Sequence, residues 1–132
     1  MKVLVDTSAL LALAFPDDRH HQAAVAFVRA HPQARLVLTE LILAEVATRI
    51  RARAGAPRAV AVARSLFESR RYELLFVDGD VVRGALDLMA RFADKRLSLT
   101  DCTSFALMDR LGLESAFAFD TDFRDCGYRM VP

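Results

Sequence analysis

Four short apolar runs, Lys2–Val5, Arg35–Leu38, Glu73–Val77 and Ala116–Phe119, are separated by stretches that carry helix signals, and that alternation leaves few folds open. Strands that alternate with helices form βαβ units, so the expected fold is α/β, with a mainly parallel central sheet of four to five strands flanked by helices. Tyr128–Val131 supplies the short fifth strand. At 132 residues, 54% hydrophobic and 27% charged, the chain suits one domain over residues 1–132 with a real core, and disorder is excluded.

The intervening segments carry recognisable start and stop signals. Thr7 or Ser8 can cap a helix over Ala9–Phe15, which Pro16 interrupts. Asp17 and Asp18 open a second helix, in which Ala23, Ala24, Phe27 and Val28 share a face, and it stops near His31-Pro32. Thr39 caps a helix from Glu40 to Ala54, closed by Gly55, and Pro57 opens another that runs to Arg71. Asp78-Gly79-Asp80 turns the chain into a helix ending near Arg96. Thr100 caps the last, Asp101–Leu111, with Gly112 after it.

Five acids fall where these strands end or helices begin: Asp6, Glu45, Asp101, Asp120 and Asp122. In open α/β sheets those positions converge on the crevice outside the carboxyl ends of the strands. Carboxylates gathered there repel one another, and a divalent cation such as Mg²⁺ or Mn²⁺, which prefers hard oxygen ligands, relieves the conflict. The pattern therefore points to metal-dependent phosphodiester chemistry. Glu45 is chosen over Glu40 because five residues turn a helix by about 140°, so the two face different directions. Glu40 sits in the first turn, where the helix dipole favours an acid, whereas Glu45 lies among apolar residues and needs a site to face.

Other residues carry weaker signals. Asp17, Asp18, Asp78 and Asp80 read as helix-start residues, and Asp87, Asp94 and Asp109 as solvated surface. His20, His21 and His31 form no metal-ligand pattern and read as surface. No glycine-rich phosphate loop is present, which argues against a nucleotide cofactor. Cys102 and Cys126 read as isolated reduced thiols, Cys102 on the core side of its helix. No apolar run is long enough to span a bilayer, and Asp6 breaks the first one, so a cytoplasmic protein without membrane attachment is expected. From Arg49 to Arg71 seven arginines face one acid, Glu68, whereas from Tyr72 onward eleven acids face seven bases. A basic segment beside an acidic one suits a nuclease, with arginines to hold phosphates.

The segments VDTSAL (Val5–Leu10), LILAEV (Leu41–Val46), SLTDC (Ser98–Cys102) and FDTDF (Phe119–Phe123) together resemble the PIN-domain family, and most closely the VapC-type toxins of toxin–antitoxin pairs. The likeness runs in order over the whole chain and implies a single three-layer PIN-like domain. It carries the family's catalytic acids onto Asp6, Glu45, Asp101 and Asp120. The metal set falls on Asp6, Asp101 and Asp120, with Asp122 at a more variable fifth acid whose contact is expected through water. Thr7 or Ser8 matches a hydroxyl position that helps order the site. The resemblance implies a Mg²⁺- or Mn²⁺-dependent endoribonuclease that cuts tRNA or ribosomal RNA loops and leaves a 5′-phosphate and a 3′-hydroxyl. It further implies a homodimer and a small VapB-type antitoxin, while arginines of Arg49–Arg71, with Lys2 or Arg124, hold the RNA backbone. The alternatives are a housekeeping RNA-processing or structure-specific nuclease of the same superfamily, and a non-catalytic RNA-binding module that retains the fold.

Overall fold

The computed structural model describes all 132 residues. Five strands, β1 (Lys2–Val5), β2 (Arg35–Thr39), β3 (Tyr72–Leu75), β4 (Ser115–Phe117) and β5 (Arg129–Val131), form one sheet in the order β3-β2-β1-β4-β5. Every neighbouring pair is parallel. β1 and β2 are buried on both faces from their second residue onward, which is why they read as continuous apolar runs rather than as alternation. The chain leaves β1 toward β2 and β3, then returns to build β4 and β5 on the other side. The order therefore reverses between β1 and β4.

Seven helices connect the strands: α1 (Thr7–Ala14), α2 (His21–Ala30), α3 (Glu40–Ala54), α4 (Ala56–Glu68), α5 (Gly79–Arg91), α6 (Leu99–Leu111) and α7 (Asp122–Asp125). Phe105, Phe117, Phe123, Leu4, Leu36, Ile42, Ile50 and Met108 are fully buried and knit sheet to helices. Each such side chain contributes about 1.5–3 kcal/mol relative to exposure. Gly55 (φ +92°) ends α3 and starts α4 at one residue, a left-handed conformation that L side chains resist.

The element order is as expected, but several boundaries shift, each for a local reason. α2 begins at His21 instead of Asp17, because the Asp18 carboxylate accepts the His20 N–H (2.8 Å) and makes a turn there. Ala23 is exposed, leaving Ala24 and Phe27 as the buried face. α4 ends at Glu68, since the Arg71 guanidinium reaches back to the carbonyls of Val28 (3.0 Å) and His31 (2.6 Å). β3 stops at Leu75 because the Val77 N–H is taken by both Glu40 carboxylate oxygens (3.0 Å each). Glu40 thus does more than favour a helix start. α5 ends at Arg91, five residues early, and α7 was not anticipated.

Candidate active site at the carboxyl edge of the sheet

β1 and β4 end side by side where the strand order reverses, and the five acids gather just beyond them. A polar cavity of about 280 Å³ is lined by Asp6, Thr7, Ser8, Glu45, Arg49, Arg96, Ser98, Asp101, Asp120 and Asp122, and by no hydrophobic residue. A larger groove between α5 and α6, about 520 Å³, mixes aliphatic residues with charges such as the Arg110 that pairs with Asp78, and its acids, Asp80, Asp87 and Asp109, form no cluster tight enough to share a cation.

Three of the acids are held by the backbone through one oxygen, which leaves the other free. Asp6 itself is the N-cap of α1, in place of Thr7 or Ser8: its Oδ2 accepts the Ser8 N–H (3.2 Å) and the Ser8 hydroxyl (2.6 Å). Ser8 Oγ in turn accepts the Phe119 N–H (3.0 Å) and so ties the β1 acid to the segment carrying Asp120. Asp101 closes a capping box at the start of α6, its Oδ2 accepting the Ser98 N–H (3.3 Å) while Ser98 Oγ accepts the Asp101 N–H (3.0 Å). Ser98, and not Thr100, is therefore the cap. Asp120 does not directly follow its strand; β4 ends at Phe117 because Phe119 turns to Ser8, and Asp120 Oδ1 accepts the Asp122 N–H (3.0 Å). Helix capping and site building are thus one arrangement, with the second oxygen of each carboxylate uncommitted.

Asp101, Asp120 and Asp122 bring one carboxylate oxygen each within 4.8 Å of one another. Asp6 stands outside that triad but shares the cavity, and Glu45 reaches it from α3. The crowding has electrostatic consequences. Burial pushes the Asp6 carboxyl up from 3.8 to about 6; the Ser8 hydrogen bonds pull against this, and the charges of Asp101 and Asp120 add to it. Asp101 is also raised, first by burial and then, against the Ser98 hydrogen bonds, by Asp120 and Glu45. Asp122 is raised by burial and by the charges of Asp120 and Asp125.

The donor set fits a hard divalent cation. All available ligand atoms are carboxylate oxygens, and octahedral Mg²⁺ with oxygens at about 2.1 Å needs them about 3–4.2 Å apart, a closure that side-chain rotation supplies. The buried hydroxyl of Thr7, which lines the same cavity, has no hydrogen-bond partner in the protein. Such an orphaned group matches a site that takes a further polar ligand.

Residues 3–127 match the family model of the PIN domain. The 23S rRNA-specific endonuclease VapC20 of Mycobacterium tuberculosis is 31% identical over 126 residues, covering 96% of this chain and 95% of the relative. The chain belongs to the PIN domain family. Its fold matches the crystal structure of VapC20 of Mycobacterium tuberculosis, a Sarcin-Ricin loop cleaving toxin, with TM-score 0.87 at 30% identity over 96% of this chain and 95% of that one. VapBC2 of Rickettsia felis, bound to a promoter DNA fragment, shares the PIN fold at TM-score 0.75 and 10% identity, over 100% of this chain and 98% of that one. FitAcB of Neisseria gonorrhoeae does so at TM-score 0.71 and 16% identity, over 100% and 97%.

Some side chains took roles that the sequence did not suggest. Arg96 and Ser98 line the PIN acid cavity; Ser98 opens the SLTDC segment without an assigned role there, and Arg96 stands two residues before it, outside the motif. Lys2 lies at the opposite, amino edge of the sheet, paired with Glu73 (3.2 Å), so it cannot assist the site. Arg53, Arg58 and Arg71 brace the fold. Arg53 pairs with Asp17 (2.6 Å) and lies 4.1 Å from the Phe15 ring centroid, Arg58 donates to the Ala14 carbonyl, and Arg71 holds α2 as described. The histidines are not free surface groups either: His20 stacks on Phe119 (4.3 Å), and His21 and His31 contact the carbonyls of Ala12 and Phe27. Asp109 is exposed, as expected, and also accepts the Tyr128 hydroxyl (2.9 Å). Both cysteines are free, and Cys102 is buried as expected. No helix is long and apolar enough to cross a membrane.

Proposed function

We propose that this PIN protein is a VapC-type endoribonuclease dependent on Mg²⁺ or Mn²⁺, which hydrolyses a phosphodiester bond in a single-stranded loop of a structured RNA. The observation that carries the reading is the cluster of Asp101, Asp120 and Asp122 oxygens within 4.8 Å beside Asp6 and Glu45, in a cavity without hydrophobic lining. Asp101, Asp120 and Asp122 would hold the cation, and Asp6, whose Oδ1 accepts no hydrogen bond within the protein, lines the same cavity. A divalent cation there supplies an acidified water and polarises the scissile phosphate. The protein's own part is positioning. Ser8 fixes Asp6 relative to the Asp120 segment, and the Ser98–Asp101 capping box fixes the start of α6. Glu45 completes the negative wall. The Thr7 hydroxyl orients a ligand oxygen, since it has no partner within the protein.

A pocket at a sheet edge accepts a splayed strand more readily than a duplex, which favours a loop. The relative at 31% identity acts on 23S rRNA and supports a ribosomal RNA loop over tRNA as substrate. Cleavage leaves a 5′-phosphate and a 3′-hydroxyl. One fold neighbour is a toxin–antitoxin complex from Klebsiella pneumoniae (TM-score 0.64, 20% identity), which fits a VapB-type antitoxin as partner; the homodimer rests on the likeness to VapC-type toxins alone. All five acids are present, which speaks against the non-catalytic module.

The test is incubation of purified protein with ribosomal RNA and tRNA in Mg²⁺, Mn²⁺ or EDTA, followed by mapping of the new 5′ ends. Cutting at one loop position in Mn²⁺ or Mg²⁺, abolished by EDTA, is the expected result. Cutting that persists in EDTA overturns the metal reading, and intact RNA under every condition overturns the enzymatic one.

A further inference from the structure

An RNA backbone cannot approach five carboxylates unaided, because its own charge is of the same sign. A divalent ion offsets only part of that, so the site needs cations of its own. Two side chains in the cavity wall supply them: Arg49, one turn beyond Glu45 on α3, and Arg96, on the connection from α5 to α6 just before the Ser98 cap. They are the two arginines that line the acid cavity, and unlike many others they are not committed elsewhere. Arg53, Arg58, Arg71, Arg83 and Arg110 all donate hydrogen bonds within the protein. Arg49 has only a loose contact to Glu45 (3.5 Å) and keeps its side chain 60% exposed. Arg96 is exposed and forms no ion pair or side-chain hydrogen bond, although acids line the same cavity. An arginine that ignores neighbouring carboxylates has its planar fork available for something else, and the fork matches a phosphate.

We infer that Arg49 and Arg96 form a clamp that grips RNA phosphates from opposite elements, α3 and the α5–α6 connection, and seats the strand over the acids. Of the rest of the arginine-rich α3–α4 segment, Arg53, Arg58 and Arg71 are engaged within the fold and Arg51, Arg64 and Arg70 do not line the cavity, so contact at the acids narrows to the segment's first arginine plus one arginine far along the chain. This inference rests on the ribonuclease reading of the site. Arg49 and Arg96 are positioning residues, acting on phosphates flanking the reacting one.

Two measurements on the full chain test it. The first is binding of a fluorescent single-stranded RNA oligonucleotide across a salt series, in an Asp101→Asn background that prevents turnover. Arg49→Ala and Arg96→Ala should each weaken binding roughly fivefold to tenfold and flatten the slope of log affinity against log salt by about 0.7, the value of one phosphate contact on a single strand. Arg96→Lys should keep the slope but recover only part of the affinity, and Arg70→Ala, at an exposed site away from the cavity, should change neither. The second is cleavage by the otherwise wild-type enzyme, in which Arg96→Ala should raise KM with kcat held within about twofold, while Mn²⁺ affinity read by electron paramagnetic resonance stays unchanged. An unaltered salt slope in Arg96→Ala overturns the clamp, and a severalfold gain in Mn²⁺ affinity with that same slope marks Arg96 as a resting counter-ion instead. RNA binding that loses slope in a protein that cleaves nothing would uphold the clamp and sink the hydrolase reading. Normal cleavage with an unchanged slope would do the reverse.

Discussion

The two edges of the sheet handle charge in opposite ways. At the amino edge, Glu73 on β3 lies between Lys2 on β1 (3.2 Å) and Arg35 on β2 (3.5 Å), so each charge has a partner of opposite sign. At the carboxyl edge five acids share one cavity, and the only ion pair is the 3.5 Å contact of Glu45 with Arg49. Both edges belong to the same parallel strands, so the fold itself does not demand the crowding. The difference teaches that the amino edge is arranged for the folded chain alone, whereas the carboxyl edge is arranged for a ligand that the chain does not itself supply.

The sharpest way to break that contrast is to remove one free carboxylate from the carboxyl edge. Asp101→Asn and Asp120→Asn keep a side-chain acceptor for the Ser98 and Asp122 N–H groups, so the caps survive and the charge does not. RNA cleavage in Mn²⁺ should fall by roughly a thousandfold in each, comparable to losing a major electrostatic element of an active site. Residual activity within tenfold of wild type, in a variant of unchanged melting temperature, would deny these acids a catalytic role.

Metal addition gives the next largest effect. An ion that binds only the folded chain stabilises it by RT ln(1 + [L]/Kd), about 2.7 kcal/mol at a hundredfold excess over Kd. The melting temperature should therefore climb with Mn²⁺ concentration, and the climb should disappear in Asp120→Asn. A Mn²⁺ response that survives in that variant would place the ion elsewhere.

How much of this was legible before the fold was known differs between the two edges. Asp6, Asp101, Asp120 and Asp122 stood out because each lies just after an apolar run or at a helix start, and Glu45 because it interrupts the apolar stretch Leu41–Val46; strand order then carries them together. Parallel topology was readable from β1 and β2, whose uninterrupted Val-Leu runs need two covered faces. Other features depend on contacts between segments distant in sequence. Glu40 cuts β3 short through Val77, thirty-seven residues away, and Ser8 ends β4 through Phe119 across a separation of 111. No local propensity carries such information. Arg96 was invisible for a related reason: it lies in a short connection without periodicity, and only the folded α5–α6 turn brings it to the acids. The arginine-rich stretch misled in the opposite direction, because charge density does not reveal that Arg53 and Arg71 are already engaged by Asp17, Val28 and His31.

Asp6 allows a finer test, since its carboxyl is both cap and buried charge. Its value rises from 3.8 to about 6 on folding, so between those limits the native chain binds a proton that the unfolded chain does not. Metal-free stability therefore falls as pH rises through this window, and the whole penalty, on the order of 2–3 kcal/mol, is present above it. Asp6→Asn retains an oxygen for Ser8 and removes the charge. In EDTA near pH 7 it should gain about 1–2 kcal/mol, and the gain should vanish below about pH 4, where Asp6 is protonated in either state. Asparagine is also an acceptable N-cap, so α1 should hold. A melting temperature lowered at neutral pH would mean that the hydrogen bonds to Ser8 outweigh the cost of burying the charge among other acids.

The smallest effect belongs to the amino edge, and its size is what makes it informative. Glu73→Gln leaves Lys2 and Arg35 without a carboxylate, but both cations are about half exposed and can be solvated where they stand. The loss should be about 0.5–1 kcal/mol, shrinking further in high salt because exposed charges are screened. Cleavage should be unchanged, as Asp6 lies at the far end of β1 from Lys2, the partner of Glu73. A carboxylate removed from one edge is thus expected to cost a little stability and no activity, whereas one removed from the other raises metal-free stability and abolishes cleavage. Should Glu73→Gln also slow RNA cleavage without unfolding the chain, the amino edge would have to take part in binding RNA, and the division of labour between the two ends of the sheet would fail.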